Sequence, residues 1–467
     1  MKKLYIALTL VVSTFFLSCD KFLERPPEAK IPEEEALKTE DDVVRVLYGC
    51  FFQMGVNEMY NGKLQSTAEY LADHLNGSFL TGKAQETFNR RTTIFNTDNN
   101  FLYVGIYNIV YRANKALEKI ELVSEPNRAI VEGRIKMVRA ICHFELARMW
   151  SFNPGYSEAN AHPGIPIRLS TEVTPPVRAS VKEVYDQIIK DLKEAEASLP
   201  DFDSDRSLGD KNTARAFLAK VYFQMNNFAD AYHYADLVIK SGKYPLEPTL
   251  KTRYSPEGTA ESILRIKNLS GSHEPGGTLR ATMSGRNNPP AARFTQGFYD
   301  FVAGFPGDNR IEWLNNTRHT NVIYVTKYDS SQFELPIITI TEMYLTRAEA
   351  GGEIADTNPA ARTTGIEDIN RIIERAYGND SRNLPSTASA DLLIQTARTQ
   401  REIELMGEGD RLHQIARIGA HPNPARRNEL LDRRGAFWNC PGFILQFPDY
   451  ERNANVNFQM NVEGGCL

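Results

Sequence analysis

Cysteine is scarce in this chain, five in 467 residues, and the four that follow Cys19 are too scattered for a disulfide scaffold. Cys50 and Cys142 fall on apolar helix faces and are expected in the core. Cys440 and Cys466 can pair in an oxidising compartment, and the sequence leaves that open. A basic excess is lacking too: 54 Lys plus Arg stand against 59 Asp plus Glu, net −5, so nucleic acid is not an expected partner. After one apolar run near residue 1 no second long one follows, and the rest of the chain is expected outside the bilayer. The eight histidines include no HExxH and no pair four apart on a helix, and G-x-S-x-G, phosphate-loop and G-x-G-x-x-G motifs are missing. No catalytic residue, metal or cofactor is therefore expected. A glycosidase needs only two carboxylates placed by the fold, and stays open as a lesser alternative.

What is present begins with "MKKLYIALTLVVSTFFLSCDKFLE". Lys2 and Lys3 precede an apolar run from Leu4 to Phe16, which as a helix reaches about 20 Å against a bilayer core of roughly 30 Å. It reads as an export signal, not a span. Ser18 before Cys19 resembles a bacterial lipobox, so residues 1–18 are expected to be a lipoprotein signal peptide, Cys19 the lipidated residue and 19–38 a tether rich in Pro and Glu. Acyl chains contribute about 0.8 kcal/mol per buried methylene, enough for several chains to hold a protein at a membrane. An ordinary signal peptide with an incidental cysteine is the alternative. Asp20 and Glu24 resemble the acidic signal that sends some lipoproteins to the cell surface.

Helical periodicity then takes over. Thr39 caps "TEDDVVRVLYGCFFQMG", with Val43, Leu47, Cys50, Phe51 and Met54 on one face. The pattern repeats in "GIYNIVYRANKALEKIELV" and "EGRIKMVRAICHFELARMW", where Trp150 is expected to be buried. Ser180 and Glu183 form a capping box for "SVKEVYDQIIKDLKEAEASLP". "NTARAFLAKVYFQMNNFADAYHYADLVIKSG" predicts two helices joined by a tight turn at Asn226 and Asn227, with small residues Ala219 and Ala231 at tetratricopeptide spacing. A second unit pairs Ala348 with Ala360. Between the two units, from Ser255 onward, Gly and Pro are dense, the helical period disappears and strand-like pieces remain ("SILRIKNL", "NVIYVTKY"). The expected fold is mostly α, a tetratricopeptide-like scaffold of helical hairpins interrupted by a loop-rich insertion with short strands. Its divisions are 39–254, 255–335 and 336–467. Asp201, Asp203 and Asp205 have the spacing of a calcium loop, but Arg206 and Asn212 stand where Gly and Glu belong, so a solvated acidic turn is expected.

The order of "LSCD", "IYNIVYRANKALEKIE", "YDQIIKDLKEAEASLP", "NTARAFLAKVYFQMNNFADAYHYADLVI", "EMYLTRAEA" and "REIELMGEGDRLHQIARIG" resembles the SusD/RagB family of Bacteroidetes surface lipoproteins. The family usually has Glu at Gln400, His at Asp410, Asp at Gln414 and Trp at Ile418, and "FPDYERNANVNFQ" departs from its usual C-terminal run. Arg401, Glu404, Glu408, Gly409, Arg411 and Arg417 are kept and read as a structural ion-pair network. The resemblance implies an outer-membrane, outward-facing binding protein that catches oligosaccharides, or peptides in the RagB branch. It implies delivery to a SusC-like TonB-dependent transporter as partner, without chemistry. A helical scaffold that binds a protein and no nutrient is the alternative.

Sugars need exposed aromatic platforms beside amide and charged groups. Two stretches offer them. The first, read as a loop, carries Phe79, Phe88, Arg90, Arg91, Phe95, Asn96, Asn99 and Asn100, and the resemblance places part of the ligand surface there. The second carries Arg286, Asn287, Asn288, Phe294, Tyr299 and Trp313. In it "FYDFV" also reads as a packing helix, and Asp308 with Arg310 as a structural pair.

Overall fold

The computed structural model describes residues 37–55, 59–249, 253–268, 276–427 and 432–466. The expected signal peptide, the lipidated Cys19 and the tether as far as residue 36 lie outside the described residues.

Helix Glu40–Met54 starts at a capping box between Thr39 and Asp42 and buries Val43, Leu47, Cys50, Phe51 and Met54, the face that its periodicity predicts. Thr97–Leu117 and Asn127–Trp150 follow as long antiparallel neighbours, then Val181–Ser198 behind the Ser180–Glu183 capping box. Trp150 is fully buried, and its indole N–H donates to the Gln446 carbonyl at 3.2 Å. Cys50 and Cys142 are buried and unpaired.

Helices Lys211–Gln224 and Phe228–Lys240 form the first tetratricopeptide-like hairpin. Asn226 adopts a left-handed φ of 56°, and the Asn227 side chain caps the second helix. Ala219 and Ala231 are both fully buried. The second hairpin is Ile340–Glu353 with Pro359–Tyr377. Its close approach differs from expectation by one position: Ala360 is exposed, and the contact runs through Ala361 and Gly365. A Cβ at Gly351 would lie 2.4 Å from the Ala361 carbonyl oxygen, so the backbones touch where only glycine fits.

Phe228–Lys240 packs directly against Ile340–Glu353 although about a hundred residues separate them in sequence. The reason is a two-stranded antiparallel stem, Ser262–Ile266 with Leu335–Thr339, in which Ser262 faces Thr339 and Ile266 faces Leu335. The stem brings the chain back to where it left, so the hairpin stack continues as if uninterrupted. Of the two strand-like pieces in the sequence, "SILRI" supplies one stem strand. "YV" pairs instead with Leu314–Asn315.

A buried ion network fastens this insertion to the scaffold. Glu404, fully buried on helix Ala390–Glu404, accepts from Arg310 of the insertion at 3.2 Å, from Arg253 just ahead of it at 2.6 Å, and from Arg375 of the scaffold at 2.7 Å. Burial alone would raise its carboxyl; Arg375, Arg253 and Arg310 together hold it down at about 2. Arg310 also grips Asp308 at 2.6 Å and donates to Gln400 at 2.5 Å. Lys327 reaches Glu408 at 2.6 Å. Arg411 clasps Asp73 in two bonds of 2.7 and 2.8 Å, and Arg401 clasps Asp410. Arg417 pairs with Glu349 at 2.8 Å. The network expected around Arg401, Glu404, Glu408, Arg411 and Arg417 is therefore present.

Candidate functional site

Two stretches far apart in sequence meet at one edge of the molecule. The chain leaving helix Lys63–Leu71 forms a short strand, Leu75–Asn76, antiparallel to Arg293–Phe294, with Leu75 opposite Phe294 and Asn76 opposite Arg293. Further bonds lock the crossing: the Thr295 amide donates to the His74 carbonyl at 2.9 Å and the Phe294 amide to the Ile323 carbonyl at 2.8 Å. The Asn76 side chain accepts from the Ser78 amide at 3.0 Å and turns the chain so that Phe79 stands out, 48% exposed. The Arg293 guanidinium lies 3.3 Å from the centre of the Phe79 ring, and its Nε donates to the Pro290 carbonyl at 2.9 Å. One cation thus fixes the aromatic ring on one side and the 286–290 loop on the other.

Beside this clasp is a cleft of 610 Å³ lined by Arg280, Ser284, Arg286, Asn287, Asn288 and Pro290. Asn287 and Asn288 are exposed, while Arg286 is anchored by a 3.0 Å bond to the Asp329 carbonyl. His319 braces the loop from behind through the Gly285 carbonyl at 2.7 Å. An exposed ring, two amides and an arginine on a fixed frame can stack against a flat C–H face and bond neighbouring hydroxyls.

The remaining expected residues divide by burial. The first stretch is not one loop: it contains helix Gly82–Phe88 and the first turn of Thr97–Leu117. Arg90 is 2% exposed, donates to the Leu71 and Ala72 carbonyls, pairs with Asp432 at 2.5 Å and stacks on Phe443, which leaves no face for a ligand. Asn96 is buried as the cap of the long helix, and Asn99 is buried one turn later. Asn100 bonds the Ile94 carbonyl at 3.1 Å. Phe88 is half-buried beneath Arg434. Arg91 and Phe95 are exposed on the turn between the helices. In the second stretch Phe294 and Phe298 are core, and Tyr299 is half-buried against them. Trp313, 7% exposed with Lys327 over its ring at 4.2 Å, lines a different cavity with Arg253 and Arg375. Arg293, Asn76 and Arg280 were not singled out in the sequence, because their place depends on the strand crossing.

Asp201, Asp203 and Asp205 turn to three separate cations, Lys211 at 2.5 Å, Arg134 at 2.6 Å and Lys267 at 2.8 Å. Among the described residues no group of three or more His, Cys, Asp or Glu side chains is arranged to hold a metal ion. Cys440 and Cys466 form a disulfide with Cα atoms 5.5 Å apart.

Two family models match the chain. One, described as "Starch-binding associating with outer membrane", covers residues 21–223, and the other, described as "SusD family", covers 305–463. SusD-like protein P2 of Formosa agariphila is 24% identical over 98% of this chain and 99% of its own length. SusD-like protein P38 of the same organism is 26% identical over 54% of this chain, and the match spans 48% of that relative. A SusD superfamily protein from Bacteroides vulgatus superposes with a TM-score of 0.78 at 21% identity, covering 91% of this chain and 99% of that one. A SusD-like carbohydrate binding protein from the same species gives 0.73 at 18%, covering 90% and 98%. The two family models together take in most of the chain, from residue 21 to 223 and from 305 to 463: the chain belongs to the SusD/RagB family.

Proposed function

We propose that this protein is a lipid-anchored nutrient-binding protein on the outer face of the outer membrane. It captures an oligosaccharide and delivers it, chemically unchanged, to a SusC-like TonB-dependent transporter. The observation that carries the reading is the clasp of Phe79 by Arg293 beside the Asn287–Asn288 cleft, a preformed aromatic and amide surface held by strands and not by a floppy loop. Membership of a family described as starch-binding and associated with the outer membrane supports the ligand class and the location. The Cys440–Cys466 disulfide suits an oxidising, extracytoplasmic compartment. No helix among the described residues is long and apolar enough to cross a membrane; attachment is by the lipid expected on Cys19.

Binding of this kind works through shape already present, so little ordering is required on capture, and a modest affinity permits hand-over. Electrophoresis through gels cast with individual polysaccharides tests the proposal: one polysaccharide retards the protein, and Phe79→Ala abolishes the retardation. Mobility unaffected by every polysaccharide, together with retention on immobilised peptides, would replace the glycan by a peptide.

A further inference from the structure

We propose that the cleft between helix Thr97–Leu117, the 166–174 segment and the Tyr450–Glu451 turn is a second binding site, one that takes a neutral pyranose ring. It shares with the proposed function only the class of ligand; its residues are separate from the Phe79 surface.

Tyr103, Tyr107 and Tyr111 follow one another at four-residue spacing along one face of the helix, and Tyr450 closes the opposite wall. Ring centres lie 4.7 Å apart for Tyr103 and Tyr107 and 6.4 Å apart for Tyr103 and Tyr450. Tyr111 and Tyr450 are 43% and 42% exposed, so ring surface is open to a ligand in a cavity of 330 Å³, at the small end for a ligand pocket.

The walls are built before anything enters. The Tyr107 hydroxyl donates to the Pro166 carbonyl at 2.7 Å, and the Asn114 amide donates to the carbonyls of Arg168 and Ser170 at 3.0 and 3.2 Å. Arg168 turns back onto the Thr174 hydroxyl at 2.8 Å, and Thr171 bonds Glu118 at 2.8 Å. Polar groups with bonding capacity to spare line this frame. Glu451 is half-buried and forms no ion pair; burial pushes its carboxyl up, against the pull of the neighbouring Tyr103 hydroxyl and the Arg168 guanidinium. The Tyr103 hydroxyl is buried between Tyr107 and Glu451 and interacts with both. Asn108, exposed between Tyr107 and Tyr111, is engaged by no other described side chain.

The chemistry selects the ligand. A purely apolar guest would bury further the Glu451 carboxyl, which no ion pair holds, and cover the Asn108 amide. Arg168 on the rim disfavours a cation, and Glu451 with Glu172 disfavours an anion. A neutral ring with C–H faces for the tyrosines and hydroxyls for the amide and carboxyl satisfies all of them.

Saturation-transfer NMR on the purified chain with the methyl pyranosides of glucose, galactose and mannose at millimolar concentration tests this. The expected result is transfer to at least one pyranoside, reduced about tenfold by Asn108→Ala and by Tyr450→Ala at unchanged melting temperature, and retained in Phe79→Ala. Absence of transfer to all three in the unaltered protein overturns the inference. So does transfer that survives both cleft variants and disappears in Phe79→Ala, an outcome that leaves the Phe79 reading standing. Loss confined to the cleft variants upholds this site and does not bear on longer glycans at the other.

Discussion

At the scale of single residues, the most consequential side chain is one that touches no ligand. Glu404 carries contacts of Arg253, Arg310 and Arg375 in a fully buried position, so removing it takes one carboxylate partner from three buried guanidinium groups, which keep Glu261, Glu408 and Asp308. Breaking a buried pair by deleting one partner costs about 3–5 kcal/mol. Glu404→Ala is expected to lose about that much in urea unfolding, and to loosen the insertion before the hairpins. The same carboxylates set an acid limit. Glu402 and Glu404 are both held at about 2 against an ordinary 4.5; burial opposes this in each, and Arg411 in one and Arg375 in the other outweigh it. Their folded values are depressed, so the unfolded chain takes up protons first as pH falls, and the stability they contribute above pH 4.5 is lost on the way to 2. Burial also depresses His143 to about 3, which adds a loss of the same sign starting below 6.5. Unfolding midpoints measured from pH 7 downward should fall through these windows, with a shallower acid slope in Glu404→Gln.

At the scale of elements, the packing faces were legible because each depends on local spacing alone. Val43, Leu47, Cys50, Phe51 and Met54 announce a buried stripe without reference to any other helix, and the structure buries all five. Contacts between helices were legible only approximately: periodicity says that a small residue must face Ala348 but not which one, and the residue facing it is Gly365 instead of Ala360, while Ala361 faces Gly351. That close approach predicts a penalty. Gly351→Ala puts a methyl group against backbone that cannot step aside, and should cost about 1–3 kcal/mol in chemical unfolding. Site residues were hardest of all. Arg293 looks like any polar loop residue until Asn76 is known to lie opposite it, and Tyr107 and Tyr111 read only as members of an amphipathic helix until Tyr103, at the end of a stretch read as a loop, and Tyr450 join them. Arg90, by contrast, looked like a surface cation and is a buried tie between Asp432 and two carbonyls.

At the scale of the whole molecule, a helical stack carries an insertion whose two ends are pinned by a strand stem and whose body is pinned by the Arg310–Glu404 and Lys327–Glu408 ion pairs. Such a frame can hold a shallow ligand surface steady under the tether proposed at Cys19. Cys19→Ser is expected to release the protein from the membrane fraction and to abolish incorporation of labelled palmitate, while leaving glycan binding by the purified protein unchanged. The test that bears most directly on capture at the Phe79–Asn288 surface is calorimetric titration of the purified protein with oligosaccharides, led by maltohexaose, followed by chromatography of the recovered sugar. The account predicts saturable binding to one of them, weakened at least about tenfold in Phe79→Ala and Asn288→Ala, with the sugar returned at its original length. Binding untouched by both substitutions, or sugar returned in shorter pieces, would contradict it.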